Sequence, residues 1–313
     1  MAPCVDSIDT MPLTDSTIAS PGIAPAADRS PPACFACGST RSSFWLSHGG
    51  FDLHRCDECG LAGVSPIPDE RTLAAVYDET YLTEGGAFGY QDDPDKLVAQ
   101  KTRQIRDRRA LLASIGYSGR RALDLGCGDG WWLESLAEDH DEVVGIEPMP
   151  AVRAAAAQRL HAGRLLAGLS HLGSDERFDL ITAFDVLEHL PDPWNVLQEL
   201  TGRLAPGGLL CLVLPIADHW TARHMPEQWD QIKPPEHLWY FTRESLRRVT
   251  QKLGLETRVE ASAWIRWPRP IPHLPQILQA PFRLPMKLLA RISPSVECGL
   301  ADSLLWCAQK RGG

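Results

Sequence analysis

Long apolar segments are the first feature that this sequence lacks. No apolar run approaches the ~20 residues that a helix needs to cross a bilayer. The N-terminus also lacks a basic start followed by an apolar stretch, so we expect a cytoplasmic protein without a secretory leader. An excess of basic charge is missing too. The formal net charge of −9 disfavours a nucleic acid or an anionic membrane surface as a partner, so we expect neither.

A complete dinucleotide fingerprint is also absent. The glycine-rich stretch of the chain begins with Asp124 and continues with Gly126, Gly128 and Gly130. The G-x-G-x-x-G pattern of nicotinamide enzymes would need its third glycine at position 131, which is Trp131. This argues against an oxidoreductase, but the stretch still predicts a strand, a glycine turn and a helix. Glycine in such a turn lets the backbone approach a ligand closely, because glycine has no β-carbon.

A second acidic residue completes the candidate ligand site. Glu147 ends the next apolar run, 143–146, and follows Asp124 by 23 residues, the length of one strand–helix–strand unit. If the two strands are neighbours, the Glu147 carboxylate lies beside the glycine turn. A carboxylate in that position can accept hydrogen bonds from both hydroxyls of a ribose.

Short apolar runs alternate with helical patterns along most of the chain. Such alternation predicts an α/β fold, in which a mainly parallel sheet carries helices on both faces. We expect Pro206–Gly208 to form a turn into a strand, and Thr242 to cap a helix that Gly254 ends. The predicted strands and helices are 121–125, 131–138, 143–147, 150–160, 164–167, 178–184, 193–203, 208–214, 242–253, 255–261 and 303–309.

These motifs resemble those of class I S-adenosylmethionine-dependent methyltransferases. Besides the glycine turn and Glu147, the matching segments are 178–181, 186–190 and 204–208, in the order of that family. The resemblance implies a Rossmann-like, doubly wound, mainly parallel sheet of seven strands whose last strand is antiparallel. It also implies an enzyme with S-adenosyl-L-methionine as its cofactor.

The resemblance also distributes the cofactor over the chain. The methionine end would lie on the glycine turn and the ribose on Glu147. The sulfonium would lie at the end of the 178–184 strand. Many relatives carry an acidic residue near the adenine amine, but this chain has none at 166–170, so backbone groups there would read the adenine. The expected cofactor-binding residues are Asp124, Gly126, Cys127, Gly128, Gly130, Glu147, Pro148, Met149, Gly168, Ala183, Phe184 and Asp185.

Four of the nine cysteines form two C-x2-C pairs. Cys34 pairs with Cys37 and Cys56 with Cys59, and 18 residues separate the pairs, as in zinc ribbons. Four thiolates complete a tetrahedral site without an open position, so we expect structural Zn²⁺. Four unliganded thiols are the alternative. Acidic neighbours leave the ribbon without a basic face, which favours a scaffold or a substrate lid over nucleic-acid binding.

The candidate acid–base groups are histidines that follow glutamates. His189 follows the 178–184 strand, at the edge where open α/β sheets bind ligands, and orientation of the site is its expected role. His237 follows Glu236 in an aromatic segment. Its imidazole titrates near neutral pH and suits a general base that Glu236 orients. The alternative is that His237 only hydrogen-bonds the loop below the pocket.

A narrower resemblance concerns the methyl acceptor. The layout of the chain resembles that of bacterial sugar C- and O-methyltransferases. It consists of a cysteine ribbon, a Tyr-Asp-Glu segment at 77–81 and a core that ends in Pro-Glu-His. In the C-methylating members the Glu-His pair is implicated in enolising a keto-sugar. We therefore expect a small-molecule acceptor, in the first place a nucleotide-linked sugar. An O-methyltransferase of another metabolite and a non-catalytic zinc-dependent binding protein are the alternatives.

Composition divides the chain into six stretches. The N-terminal residues are polar and proline-rich and are expected to be disordered. A basic helix at 94–115 has either a solvated face or a diphosphate site. A proline-rich amphipathic insertion is expected to pack on the core or to form a homodimer contact. The expected boundaries are 1–31 for the tail, 32–66 for the zinc ribbon, 67–115 for a helical connector or lid, 116–263 for the methyltransferase core, 264–300 for the insertion and 301–313 for the last strand and tail.

Overall fold

The computed structural model describes residues 33–76, 94–264 and 302–312. The expected N-terminal tail, the Tyr-Asp-Glu segment and the proline-rich insertion therefore lie outside the described residues. The strands are β1 (Ser42–His48), β2 (Phe51–Cys56), β3 (Ala62–Val64), β4 (Arg121–Leu125), β5 (Glu142–Ile146), β6 (Arg164–Leu166), β7 (Phe178–Phe184), β8 (Leu204–Pro215), β9 (Trp239–Tyr240), β10 (Leu255–Trp264) and β11 (Ser303–Lys310). The α-helices are α1 (Glu70–Ala74), α2 (Pro94–Ser114), α3 (Trp131–Ala137), α4 (Pro150–Arg159), α5 (Pro193–Arg203), α6 (Trp220–His224) and α7 (Arg243–Lys252).

Seven strands form one mainly parallel sheet, in the order β10-β11-β8-β7-β4-β5-β6. The pairs among β8, β7, β4, β5 and β6 are parallel, whereas β11 runs antiparallel to both β8 and β10. The predicted fold class and the antiparallel last strand are thus confirmed. The chain crosses from one half of the sheet to the other between β6 and β7, and at such a switch point the carboxyl ends of the strands diverge into a crevice.

Both faces of this sheet are buried. Successive side chains of a strand point to opposite faces, and on the central strands both sets lie in apolar clusters. On β4 and β7, Leu123 and Ile181 join one apolar cluster. Ala122 and Leu180, one position earlier, join the other cluster. Strands buried on both sides therefore contain nearly continuous apolar runs, as the sequence indicated.

Three helix and strand boundaries are informative. Within the expected connector, Asp69 caps α1 through the amide of Thr72, and α1 ends at Ala74 with none of its residues buried. The predicted capping of α7 is confirmed, since Thr242 and Ser245 form a reciprocal capping box. β8 begins at Leu204 rather than 208, and a register shift against β7 takes up the Pro-Gly-Gly segment.

A second, four-stranded sheet was not foreseen in the sequence. Its order is β1-β2-β3-β9. The two-residue strand β9, about 175 residues after β3 in sequence, pairs with β3 beside the cysteines. Tyr240 of β9 is buried in a cluster with Leu53 and Val64 of the cysteine module and with Trp229 of the segment after β8. The cysteine module and this late segment therefore share one apolar core.

Candidate active site

The glycine turn lies at the carboxyl end of β4. Gly126, Gly128 and Gly130 have φ values of +69°, +56° and +84°, a region that other residues rarely adopt. A β-carbon on Gly126 would come within 2.5 Å of the Val186 side chain. The amides of Gly126 and Cys127 donate to the carbonyl of Ile146, at 2.8 and 3.0 Å, and so tie the turn to β5. The Cys127 side chain itself is buried.

Glu147 lies next to this turn, as the spacing predicted. Its side chain is 7% exposed. One carboxylate oxygen accepts a hydrogen bond from the amide of Gly128 at 3.1 Å, and the other accepts from the amide of Met149 at 2.9 Å. Burial raises the pKa of Glu147, and these two backbone donors oppose the shift. Because a carboxylate has about four acceptor positions, each oxygen can still accept one ligand hydroxyl.

Asp124 is the deepest carboxylate of the turn, with 3% of its surface exposed. Its Oδ1 accepts a hydrogen bond from the Thr182 hydroxyl at 2.6 Å. Burial raises the pKa of Asp124 to about 7, while Thr182 and the nearby Arg108 guanidinium pull it back down. Buried carboxyl groups with a pKa near neutrality are frequently found in ligand-binding sites.

Helix α2 supplies residues that the sequence analysis assigned only to a solvated face or a diphosphate site. Lys101 forms an ion pair with Asp129 of the glycine turn at 2.6 Å. The Arg108 guanidinium lies 4.0 Å from the ring centroid of Phe184. Arg109 donates to the carbonyl of Ser135 in α3. These contacts hold α2 against the glycine turn and α3. The basic side chains of α2 were the only indication of this packing in the sequence.

The other expected cofactor residues lie at the same edge of the sheet. Pro148 and Met149 lead from β5 into α4, and Gly168 follows β6. Ala183 pairs with Leu125 at the end of β4, and Phe184 is the last residue of β7. Asp185 has a φ of +56°, in the left-handed region that aspartate adopts more readily than most residues.

These residues fit S-adenosylmethionine. The turn leaves room for a ligand close to its backbone, two buried carboxylates converge beside it, and the Phe184 ring and Asp185 lie at the end of the adjacent strand. A carboxylate at the tip of β5 suits a ribose diol. A buried acidic group near the turn suits the ammonium group of the methionine end.

The predicted histidines lie together beyond the carboxyl end of β7. The ring centroids of His189 and His237 are 4.7 Å apart in an edge-to-face arrangement. The Nδ1–H of His189 donates to the carbonyl of Glu236 at 2.9 Å, and the Nδ1–H of His237 donates to the carbonyl of Gln231 at 3.0 Å. Nε2 is therefore the proton-accepting nitrogen of each neutral ring. Gln231, which orients His237, had no signal in the sequence.

Two buried glutamates lie beside the histidines. Glu188 is 1% exposed, and its Oε2 has no hydrogen-bond partner among the described residues. Burial, together with the nearby Asp185 and Glu236 carboxylates, raises the pKa of Glu188 well above its usual range. Burial lowers the pKa of His189 to about 4, so this ring is neutral at pH 7. A ring with so low a pKa is a poor proton acceptor near pH 7, so His189 is not the candidate base of this cluster.

The four predicted cysteines also come together. The Sγ atoms of Cys34 and Cys59 are 3.6 Å apart, and those of Cys37 and Cys56 are 3.5 Å apart. All four lie within 4.8 Å of one another. A zinc ion with four ligands at about 2.3 Å requires sulfur–sulfur distances near 3.8 Å, so the cluster has the right size for this metal.

The comparisons with known proteins all lead to methyltransferases. Residues 97–259, more than half of the chain, match the family model described as a methyltransferase domain. A ubiquinone biosynthesis O-methyltransferase of Rhodopseudomonas palustris strain BisA53 is 29% identical over 167 residues, which cover 47% of this chain and 66% of that protein. The corresponding enzyme of Cereibacter sphaeroides strain KD131 is 28% identical over 246 residues, 71% of this chain and 85% of that protein.

The chain therefore spans slightly less than two thirds of the length of the Rhodopseudomonas relative. Among solved structures, the N-methyltransferase NodS of Bradyrhizobium japonicum WM9 is 18% identical, with a TM-score of 0.44, and the match covers 70% of this chain and 99% of that one. No helix in the described part of this chain combines the length and apolarity that a membrane crossing needs.

Proposed function

The chain belongs to the family of S-adenosylmethionine-dependent methyltransferases, and on this premise we propose that it transfers a methyl group from that cofactor to a small-molecule acceptor. The observation that carries the proposal is the pair of buried carboxylates, Asp124 and Glu147, on either side of the glycine turn. Glu147 holds the ribose, and Asp124 and the turn hold the methionine end. The bound cofactor supplies an electrophilic methyl group on a sulfonium, and the chain contributes alignment and proton removal.

The acceptor-side histidines supply the base. His237 is fixed by the Gln231 carbonyl with its Nε2 as the accepting nitrogen, so it can take the proton of an acceptor hydroxyl as that oxygen attacks. His189 is held by the Glu236 carbonyl and contacts the His237 ring edge-on, which supports a role in keeping His237 in place. Burial and the neighbouring carboxylates raise the pKa of Glu188, so this group carries less negative charge toward an acceptor oxygen than an exposed glutamate would.

For the acceptor we take a hydroxyl of a nucleotide-linked sugar as the first candidate. The combination of a cysteine ribbon with a Pro-Glu-His segment supports this class. The names of the relatives, ubiquinone biosynthesis O-methyltransferases, support transfer to oxygen and favour a second candidate, a hydroxyl on a metabolite of that pathway. The net charge of −9 disfavours nucleic acid as the acceptor.

The cysteine cluster holds a structural zinc ion in this proposal. The sulfur distances match a tetrahedral site, and four protein ligands leave no position open for substrate. Zinc therefore contributes to the stability of the module and takes no part in proton or methyl transfer.

Calorimetry with S-adenosylhomocysteine tests the cofactor site. We expect binding by the wild type and a large loss of affinity in Glu147→Ala. Labelled S-adenosylmethionine, offered with a panel of nucleotide sugars and of phenolic hydroxyl compounds, then tests the acceptor class. If the purified protein, with zinc bound to its four cysteines, fails to bind S-adenosylhomocysteine, the proposed function is wrong.

A further inference from the structure

The cysteine module lies against the segment that carries His237, although about 180 residues of sequence separate the two. β3 follows the second cysteine knuckle after only two residues, and it pairs with β9, with Ala62 opposite Tyr240 and Gly63 opposite Trp239. The amide of Val64 donates to the carbonyl of Leu238, the residue after His237, at 2.9 Å. The loop of a candidate base is therefore part of the ribbon sheet.

A second tie runs directly from a metal-ligating cysteine. The hydroxyl of Thr242 donates to the carbonyl of Cys59 at 2.6 Å, and both groups are buried. Gly60 leaves little room here, because a β-carbon on it would come within 3.2 Å of the Thr242 methyl group. Any shift of the Cys56–Cys59 knuckle would therefore displace Thr242, which lies five residues after His237.

Aromatic contacts make a third tie. Phe35, inside the first knuckle, packs edge-on against Trp239 and Phe241, with ring centroids 5.0 and 6.2 Å away. The Trp239 indole donates to the carbonyl of Leu190, next to His189, at 2.9 Å. The Tyr240 hydroxyl donates to the carbonyl of His237 at 3.1 Å. The segment 237–242 is thus held between the two cysteine knuckles on one side and the acceptor edge on the other.

We propose that the cysteine module is the positioning device of the acceptor side, so that metal binding by the four cysteines fixes the place of His237. The inference rests on the proposed function for its kinetic consequence, but its structural content does not. Metal binding fixes both knuckles, the second knuckle fixes β3 and the Cys59 carbonyl, and these fix β9 and Thr242. Thr242 is a positioning residue in this account, and the cofactor carboxylates lie outside the chain of contacts.

Hydrogen exchange in the full-length, zinc-loaded protein tests the inference without any assay of activity. Thr242→Val removes the hydroxyl that reaches Cys59, and Thr242→Ser retains it. Ser245→Ala is the matched control, since it breaks the capping box of α7 but leaves the contact between Thr242 and Cys59. The amide of Thr242 itself loses its acceptor in this control and is therefore left out of the comparison. We expect the amides of 236–242 to exchange about 5- to 100-fold faster in Thr242→Val than in Ser245→Ala, because a buried carbonyl has lost its donor. Thr242→Ser should behave like the wild type.

Two further readouts separate positioning from general stability. Peptides from the glycine turn, 124–130, should exchange at the wild-type rate in every variant, and the affinity for S-adenosylhomocysteine should change less than about twofold. With a methyl acceptor, Thr242→Val should lower kcat about tenfold and leave the KM for the cofactor unchanged, as expected for a misplaced base. Removal of zinc with a chelator should reproduce the exchange pattern.

Three results would overturn the inference. The first is protection of 236–242 that persists when zinc removal exposes the two knuckles. The second is equal exchange in Thr242→Val and Ser245→Ala. The third is faster exchange at 236–242 with a wild-type kcat. A protein that does not bind S-adenosylhomocysteine would refute the proposed function alone, because the exchange experiments need no cofactor.

Discussion

The ionisation of Asp124 makes the cofactor site open to a quantitative test. Burial raises the pKa of this carboxyl group to about 7. If Asp124 faces the α-ammonium group of the methionine end, which S-adenosylmethionine and S-adenosylhomocysteine share, only the ionised carboxylate binds that group well. The affinity for S-adenosylhomocysteine should therefore fall as the pH falls below 7, in a range where ordinary aspartates stay fully ionised.

The size of this effect follows from the pKa. A carboxyl group with a pKa of about 7 is ionised to about 90% at pH 8 and to about 10% at pH 6, so the affinity should drop about tenfold between these values. Asp124→Asn has no charge to lose. Its affinity should be lower at pH 8 and should lack this tenfold component of the pH dependence.

Isothermal titration calorimetry of both proteins at pH 6, 7 and 8 is the appropriate assay. Titration of the ligand itself, and of Glu147, is common to the two proteins and cancels in the ratio of their dissociation constants. Circular dichroism at each pH provides the folding control. A ratio that stays constant from pH 6 to pH 8 would refute the assignment of Asp124 to the charged end of the cofactor.

Four further outcomes are expected. The pKa of Asp124 in the folded state lies above the ordinary aspartate value of 3.8, so stability is lost as the pH rises from 3.8 to about 7, and Asp124→Asn should raise the melting temperature of the cofactor-free protein more at pH 8 than at pH 5. Glu147→Gln should weaken S-adenosylhomocysteine binding about 10- to 100-fold in calorimetry, because the amide side of Gln faces a backbone donor. His237→Ala should lower turnover about 10²- to 10⁴-fold at nearly constant cofactor affinity, whereas the exposed His161→Ala should not. Chelation of zinc should lower the melting temperature, and a melting curve insensitive to chelator would count against a bound metal.

The cofactor half of the molecule could be predicted from the sequence because its information is local. The glycine turn, Asp124 and Glu147 belong to one strand–helix–strand unit, and parallel pairing of β4 with β5 brings them together. Residue spacing and the two-residue period of a strand are enough to place such groups. The antiparallel position of β11 needed the family resemblance, since periodicity alone does not give the direction of a strand.

The surroundings of His189 and His237 were less predictable because they depend on pairings between residues that are distant in sequence. Nothing near Trp239 and Tyr240 in the sequence indicates a strand of the ribbon sheet, and β9 is only two residues long. The partner of His237 is a backbone carbonyl, that of Gln231, and such a group carries no sequence signal. Likewise, the position of Arg108 over Phe184 depends on how α2 packs against α3, which its charge pattern alone did not determine.

The short strand β9 has a consequence for anyone who shortens this protein. The family match begins at residue 97 and suggests a domain that folds without the cysteines. Removing residues 33–76 would uncover Tyr240, Trp229 and Leu238, which are between 0% and 3% exposed in the whole chain. A truncated protein that keeps every candidate catalytic residue would thus expose a new apolar surface to water and tend to aggregate.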